Sequence, residues 1–151
     1  MKKTYHGSCY CGAVRFKCEL DLAGGTSKCH CSICTKTRFW KAIVKADGFQ
    51  LLQGEDALSI YRFGGGTIHH LFCSRCGVKA FGSGDIEALG GKFYAINVAC
   101  LDDAMDEELA QAPVTYEDGR NDRWDQAPRR NSLPLTRREA TENTKTAVKA
   151  G

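Results

Sequence analysis

Cys9-Tyr10-Cys11-Gly12-Ala13-Val14-Arg15-Phe16-Lys17-Cys18-Glu19-Leu20 runs a pair of closely spaced thiols straight into an alternating segment. Val14, Phe16, Cys18 and Leu20 fall on one side and Ala13, Arg15, Lys17 and Glu19 on the other. That period of two gives a strand with one buried face. A metal loop feeding a strand sets the expectation for the whole chain, which is mainly β.

Outward from this segment, further strands are expected over 39–45, 49–53, 59–63, 67–72, 78–81 and 92–98. Gly64-Gly65-Gly66 reads as a hairpin connection, because glycine accepts the positive φ of tight turns. It lacks the Lys-Ser/Thr ending of a phosphate-binding loop and is followed by a strand pattern, so no phosphate role attaches to it. Helix is scarce. One short helix is expected over 101–111, with Asp102 or Asp103 near its start and Pro113 ending it. The acids around it read as a solvated face. Trp124 is the expected cap of the core.

Seven of the nine cysteines form three clusters, Cys9/Cys11, Cys29/Cys31/Cys34 and Cys73/Cys76. Thiolate-rich tetrahedral sets favour zinc or an iron-sulfur centre, and seven ligands divide into a closed four and an open three. Cys73-Ser74-Arg75-Cys76-Gly77 has the spacing of half a tetrahedral site, with a glycine that lets the backbone turn beneath the ion. Cys9 and Cys11 could supply the other half. Cys29-His30-Cys31-Ser32-Ile33-Cys34 places three thiols within six residues, where a loop and one helical turn can wrap an ion and leave a position toward a cleft. This is the candidate reactive centre. Cys18 and Cys100 read as packed thiols. His69 and His70 are adjacent in a strand pattern, so at most one can line a site. His30, between two candidate ligands, is a possible proton carrier or solvent-facing neighbour. Neither a serine-protease elbow nor a His-Glu-x-x-His helix occurs.

The chain has 151 residues and a formal charge of +3. The segment 129–151 has six Lys or Arg against two Asp or Glu, a net of +4, so the remainder carries −1. That distribution argues against nucleic acid as a partner of the body. Residues 1–128 are expected to form one domain, and 129–151 a basic, disordered tail poor in large apolar residues. The absence of a long apolar run points to a cytoplasmic protein with no membrane partner, whose thiols stay reduced for metal binding.

Three segments, Gly7 through Phe16, Cys29 through Lys36 and Phe72 through Gly77, resemble in order and combined spacing the glutathione-dependent formaldehyde-activating family. The resemblance implies small antiparallel sheets carrying two zinc ions per chain. It implies that Cys9, Cys11, Cys73 and Cys76 hold a structural zinc, and that Cys29, Cys31 and Cys34 hold the reactive one. It implies a carbon-sulfur lyase-like activity on a small thiol adduct, with glutathione and formaldehyde giving S-hydroxymethylglutathione. Lys36, Arg38, Arg75 and Lys79 lie near the cysteine loops, as solubilising charges or as partners for the ligand's carboxylates. The competing reading is a noncatalytic zinc module for a protein or nucleic-acid partner, in which His30, His69, His70, Cys18 or Cys100 would complete the second site.

Overall fold

The computed structural model describes residues 1–129 and the strand Thr146–Lys149. Two sheets face each other across the core. The smaller contains β1 (Lys3–Ser8), β2 (Arg15–Leu20) and β5 (Phe49–Gln53) in the order β1-β2-β5. The larger takes β3 (Thr26–Cys29), β4 (Trp40–Lys45), β6 (Leu58–Arg62), β7 (Ile68–Cys73), β8 (Phe81–Ile86), β9 (Gly91–Asn97), β10 (Val114–Glu117) and β11 (Thr146–Lys149). Its strand order is β10-β3-β4-β9-β8-β7-β6-β11, antiparallel throughout except for the parallel pair β10 and β3.

The alternation anchoring the sequence reading is realised in β2, where Phe16, Cys18 and Leu20 are buried while Arg15, Lys17 and Glu19 face solvent. Phe16 meets Phe49 of β5 at 5.7 Å and Phe81 of β8 at 5.6 Å between ring centroids. Phe49 in turn stacks on Tyr94 of β9 at 3.9 Å. These rings join the two sheets, and their offset and edge-on contacts add to the burial itself. A Cβ at Gly7 would fall 2.3 Å from Phe16 Cζ, so the glycine lets β1 close over this ring.

The mainly β expectation holds, with one correction: among the described residues there are two short helices rather than one. α1 spans Ser32–Thr37 inside the three-cysteine cluster, and α2 spans Asp106–Gln111. α2 is shorter than the expected 101–111. Its would-be first turn is committed elsewhere, because Asp102 N–H donates to His6 O at 2.8 Å and the Asp103 carboxylate accepts from the His6 amide. The helix starts at Asp106 instead, with Glu108 accepting from the Met105 amide. Glu108 also pairs with Lys3, tying α2 to β1.

β11 adds to β6 by antiparallel pairing, covering a strand that would otherwise present unpaired backbone groups. The sequence reading placed no strand there. The rest of the tail to which it assigned disorder, 130–145 and 150–151, lies outside the described residues. Among the described residues no helix is long and apolar enough to cross a membrane.

Candidate metal centres

The first centre is built by two matched turns. Cys9 and Cys11 lie between β1 and β2, whereas Cys73 ends β7 and Cys76 follows three residues later. In each turn the first cysteine donates its amide to the carbonyl of a valine five residues on, Cys9 to Val14 at 3.1 Å and Cys73 to Val78 at 3.0 Å. Each turn closes at a glycine with positive φ, Gly12 at +76° and Gly77 at +77°. That backbone strongly favours glycine.

The four sulfurs of Cys9, Cys11, Cys73 and Cys76 lie within 4.8 Å of one another. Cys11 Sγ is 3.7 Å from Cys9 Sγ and 3.7 Å from Cys73 Sγ. A tetrahedron with Zn–S bonds of about 2.3 Å has edges of about 3.8 Å, so the donor set fits zinc. Burial pushes the Cys76 thiol up, but the amides of Cys11 and Val78 and the neighbouring thiols outweigh it and bring the group down to about 6.

The second centre assembles Cys29 at the end of β3, Cys31 at the N-cap of α1 and Cys34 in its first turn. Their sulfurs again lie within 4.8 Å of one another. The Cys31 amide donates to Cys29 Sγ at 3.3 Å. The Cys29 and Cys34 thiols, helped by the Cys34 and Ile33 amides, hold Cys31 well below the ordinary thiol range. Cys34 is pushed up by its contacts with Cys29 and Cys31 and then by burial. Three soft donors, one already favoured as thiolate, fit a zinc ion with three protein ligands.

Among the described residues no fourth histidine, cysteine or carboxylate atom joins this group. His30, His69, His70, Cys18 and Cys100 lie outside this group. Cys18 and Cys100 are core thiols pushed up by burial to about 12 and about 11. His69 and His70 diverge as the strand period requires, and of the two only His70 is buried.

Sequence reasoning missed two features of this centre. Gly119 lies against it from the turn after β10: a Cβ there would sit 2.5 Å from Cys29 Sγ and 2.6 Å from the Trp124 ring. Trp124 is 53% exposed and covers this turn rather than capping the core. The turn is held by Asp118, fully buried, which accepts from Asn121 Nδ2 and from Arg123 Nη2 at 2.9 Å. These bonds, Asn121 first and Arg123 second, keep the Asp118 carboxyl below its ordinary value. Pairing of β10 with β3 brings the turn into place, since Glu117 stands opposite Cys29 and its carbonyl accepts from the His30 amide.

The second missed feature is the contact between two residues that the sequence singles out only separately, Lys79 among the charges near the cysteine loops and His70 in its strand pattern. Lys79 Nζ donates to His70 Nδ1 at 2.8 Å and sits 4.0 Å from the centroid of the Phe39 ring. The Phe39 amide is bonded to the Cys34 carbonyl, which places this ring at the end of the cysteine helix. Burial lowers Lys79 to about 8, opposed by the charges of Cys34 and Cys31, which favour its ammonium form. Burial first, then the Lys79 charge, lowers His70 to about 4 and keeps the imidazole neutral. No spacing in the sequence announces the pair. The local signal was only the alternation that sends one of His69 and His70 inward.

Residues 4–118 match a family described as glutathione-dependent formaldehyde-activating enzyme. The crystal structure of a Rhodobacter sphaeroides protein, a Northeast Structural Genomics target, is similar with a TM-score of 0.62 and 29% sequence identity. The similarity covers 73% of this chain and 99% of that chain. Both cysteine groups lie within the family match, and on that match the chain belongs to the glutathione-dependent formaldehyde-activating enzyme family.

Proposed function

We propose that the protein is a zinc-dependent, carbon-sulfur lyase-like enzyme. A small thiol binds at the Cys29/Cys31/Cys34 centre and forms or breaks a bond to an aldehyde-derived carbon. Glutathione and formaldehyde are the substrates indicated by the family. Cys9, Cys11, Cys73 and Cys76 hold a second, structural zinc. The observation carrying this reading is the unequal donor count, four sulfurs in one group and three in the other.

Zinc held by three thiolates would supply a further coordination position at which an incoming thiol is kept as its thiolate. The chain's own residues set the surroundings. The Cys31 amide orients the Cys29 sulfur, and the α1 turn fixes Cys34 relative to Cys31 through the Thr35 amide on the Cys31 carbonyl at 3.0 Å. Gly119 and Trp124 wall one side against Cys29. In the forward direction the thiol sulfur bonds to the aldehyde carbon, the carbonyl π pair moves to oxygen, and that oxygen takes up the proton the thiol gives up. The product is a hydroxymethyl thioether, with no redox change. Holding both reactants together removes much of the entropic cost of their encounter.

Cobalt substitution followed by glutathione titration tests the binding step, and NMR of the glutathione and formaldehyde equilibration tests turnover. A thiol-dependent change in the cobalt spectrum with faster adduct formation is expected. Two spectra insensitive to thiol, together with saturable binding of a macromolecular partner, would instead favour a noncatalytic zinc module.

A further inference from the structure

The structure separates Lys79 from the other basic residues beside the cysteine loops. Lys36, Arg38 and Arg75 are exposed, whereas Lys79 is partly buried and fixed at both ends. Its carbonyl accepts from Asn97 Nδ2 at 2.9 Å, and the next carbonyl, that of Ala80, accepts from the Asn97 amide at 2.9 Å. Its side chain passes over Gly82, where a Cβ would lie 3.6 Å from Lys79 Cε. The ammonium then reaches His70 and the face of Phe39.

Partner chemistry makes the position unusual. Lys3 and Lys41 each meet a carboxylate, Glu108 and Glu117. Among the described residues no carboxylate pairs with Lys79: its partners are a neutral imidazole nitrogen and an aromatic face. An ammonium has three donors, of which His70 takes one. A partly buried cation with spare donors, braced against the ring that ends the cysteine helix, is suited to an anionic oxygen arriving with the reactant.

We propose that Lys79 is the carboxylate-receiving residue of this centre, binding an acid group of the small thiol whose sulfur goes to Cys29, Cys31 and Cys34. The site thereby selects acidic thiols over neutral ones. This rests on the thiol-binding reading of the three-cysteine centre. His70 and Phe39 are positioning residues for the ammonium.

The test is calorimetric binding by the full-length, zinc-loaded protein of two thiols of similar reach, 3-mercaptopropionate with a carboxylate and 2-mercaptoethanol without. The wild type is expected to prefer the acid. Lys79→Met should weaken 3-mercaptopropionate about tenfold, the scale of one charge-assisted hydrogen bond, and leave 2-mercaptoethanol and zinc content unchanged. Lys79→Arg should restore part of the preference. Equal weakening of both thiols, or zinc loss with no selective change, means that Lys79 merely balances the thiolate charge, and overturns the proposal. An unchanged preference in Lys79→Met does the same. Should that variant fold poorly, Lys79→Gln keeps the stem and a polar head, and the wild type alone must still show the preference. A wild type that binds both thiols equally sinks only this inference, while one that binds neither sinks the thiol-site reading as well.

Discussion

The two cysteine groups use similar chemistry on different foundations. The four-sulfur group is closed by two turns of one design, each a cysteine amide bonded to a valine carbonyl five residues on, at the ends of neighbouring hairpins. Its architecture is local, and the long interval between Cys11 and Cys73 is bridged by the sulfurs themselves. The three-sulfur group has one turn of short helix and a strand end, and much of its surroundings comes from distant chain: Gly119 and Trp124 against Cys29, and Lys79 with His70 against Phe39 at the end of the cysteine helix. On the proposed reading, the centre that stabilises the fold is built from its own ligands, and the centre that receives the thiol has walls supplied by distant segments.

The largest test of this contrast exchanges one ligand in each group. Structural zinc can contribute about 10–16 kcal/mol, comparable with the whole net stability of about 5–15 kcal/mol typical of a domain. Cys76→Ser should therefore unfold much of the protein at room temperature. Cys34→Ser should leave it folded, with one zinc instead of two and no thiol response. Metal analysis alongside thermal melting separates the outcomes, and a folded Cys76→Ser beside an unfolded Cys34→Ser would reverse the roles assigned to the groups.

Smaller effects follow from the two glycines that serve the centres. Gly119→Ala forces a methyl group into Cys29 Sγ and Trp124. Overpacking of that kind costs about 1–3 kcal/mol, and the damage should fall on the second zinc alone. Gly77→Ala meets no atom within 4 Å but sits at φ +77°, so its cost is the left-handed backbone penalty of about 1–2 kcal/mol. Zinc stoichiometry after mild chelation should drop at the three-sulfur centre in the first variant and at the four-sulfur centre in the second. Loss from the same centre in both would show that the two are not independently supported.

Asp118 offers a gentler perturbation of the distant wall. Its folded pKa lies below the ordinary 3.8, chiefly through Asn121 and then Arg123. A depressed carboxyl adds stability that is complete above its unfolded value and is lost as pH falls through the folded one. Asp118→Asn should thus be less stable than wild type at neutral pH, and the gap should close below pH 3.8 as the wild type loses the same charge. Urea denaturation of the two zinc-loaded proteins, compared at each pH from neutral downward as far as zinc is retained, reads the gap. A gap that persists unchanged into acid would assign the effect to shape instead of charge.

How much of this was legible in the chain follows the same division between local and distant. β2, β4, β5, β6, β7 and β9 come close to the expected ranges because their apolar alternation is carried by their own residues. β8 runs over Phe81–Ile86 and not the expected 78–81, because two of its residues, Gly82 and Gly84, have no side chain to show an alternation. They are there because neighbours occupy the side-chain space: a Cβ at Gly84 would be 2.7 Å from both Ile68 and Phe93. β1 hides in a polar stretch with one large buried side chain, Tyr5. β3 and β10 are four residues each and acquire meaning only from pairing, with one another and, for β3, with β4. The cysteine groups were legible because spacing within each loop is a ligand geometry. Gly119, Asp118 and the Lys79–His70 contact were not, because tertiary contacts alone give them a role.

The smallest expected effect lies at the end of α1. Arg38 is a C-cap at φ +53°, a left-handed conformation that costs a residue with a Cβ about 1–2 kcal/mol. Its amide reaches the Cys34 carbonyl, and the Phe39 amide reaches the same oxygen at 3.3 Å. Glycine is the usual residue there, so Arg38→Gly removes strain and keeps both bonds. Part of the gain is offset by the greater freedom of glycine in the unfolded chain, about 0.5–1 kcal/mol. The net change should be a stabilisation of about 1 kcal/mol or less, seen as a slightly raised melting temperature with thiol binding intact. If thiol affinity falls instead while stability rises, the strained cap is contributing to the placement of Cys34 and Phe39. The three-sulfur centre would then depend on local backbone as strongly as the four-sulfur one does.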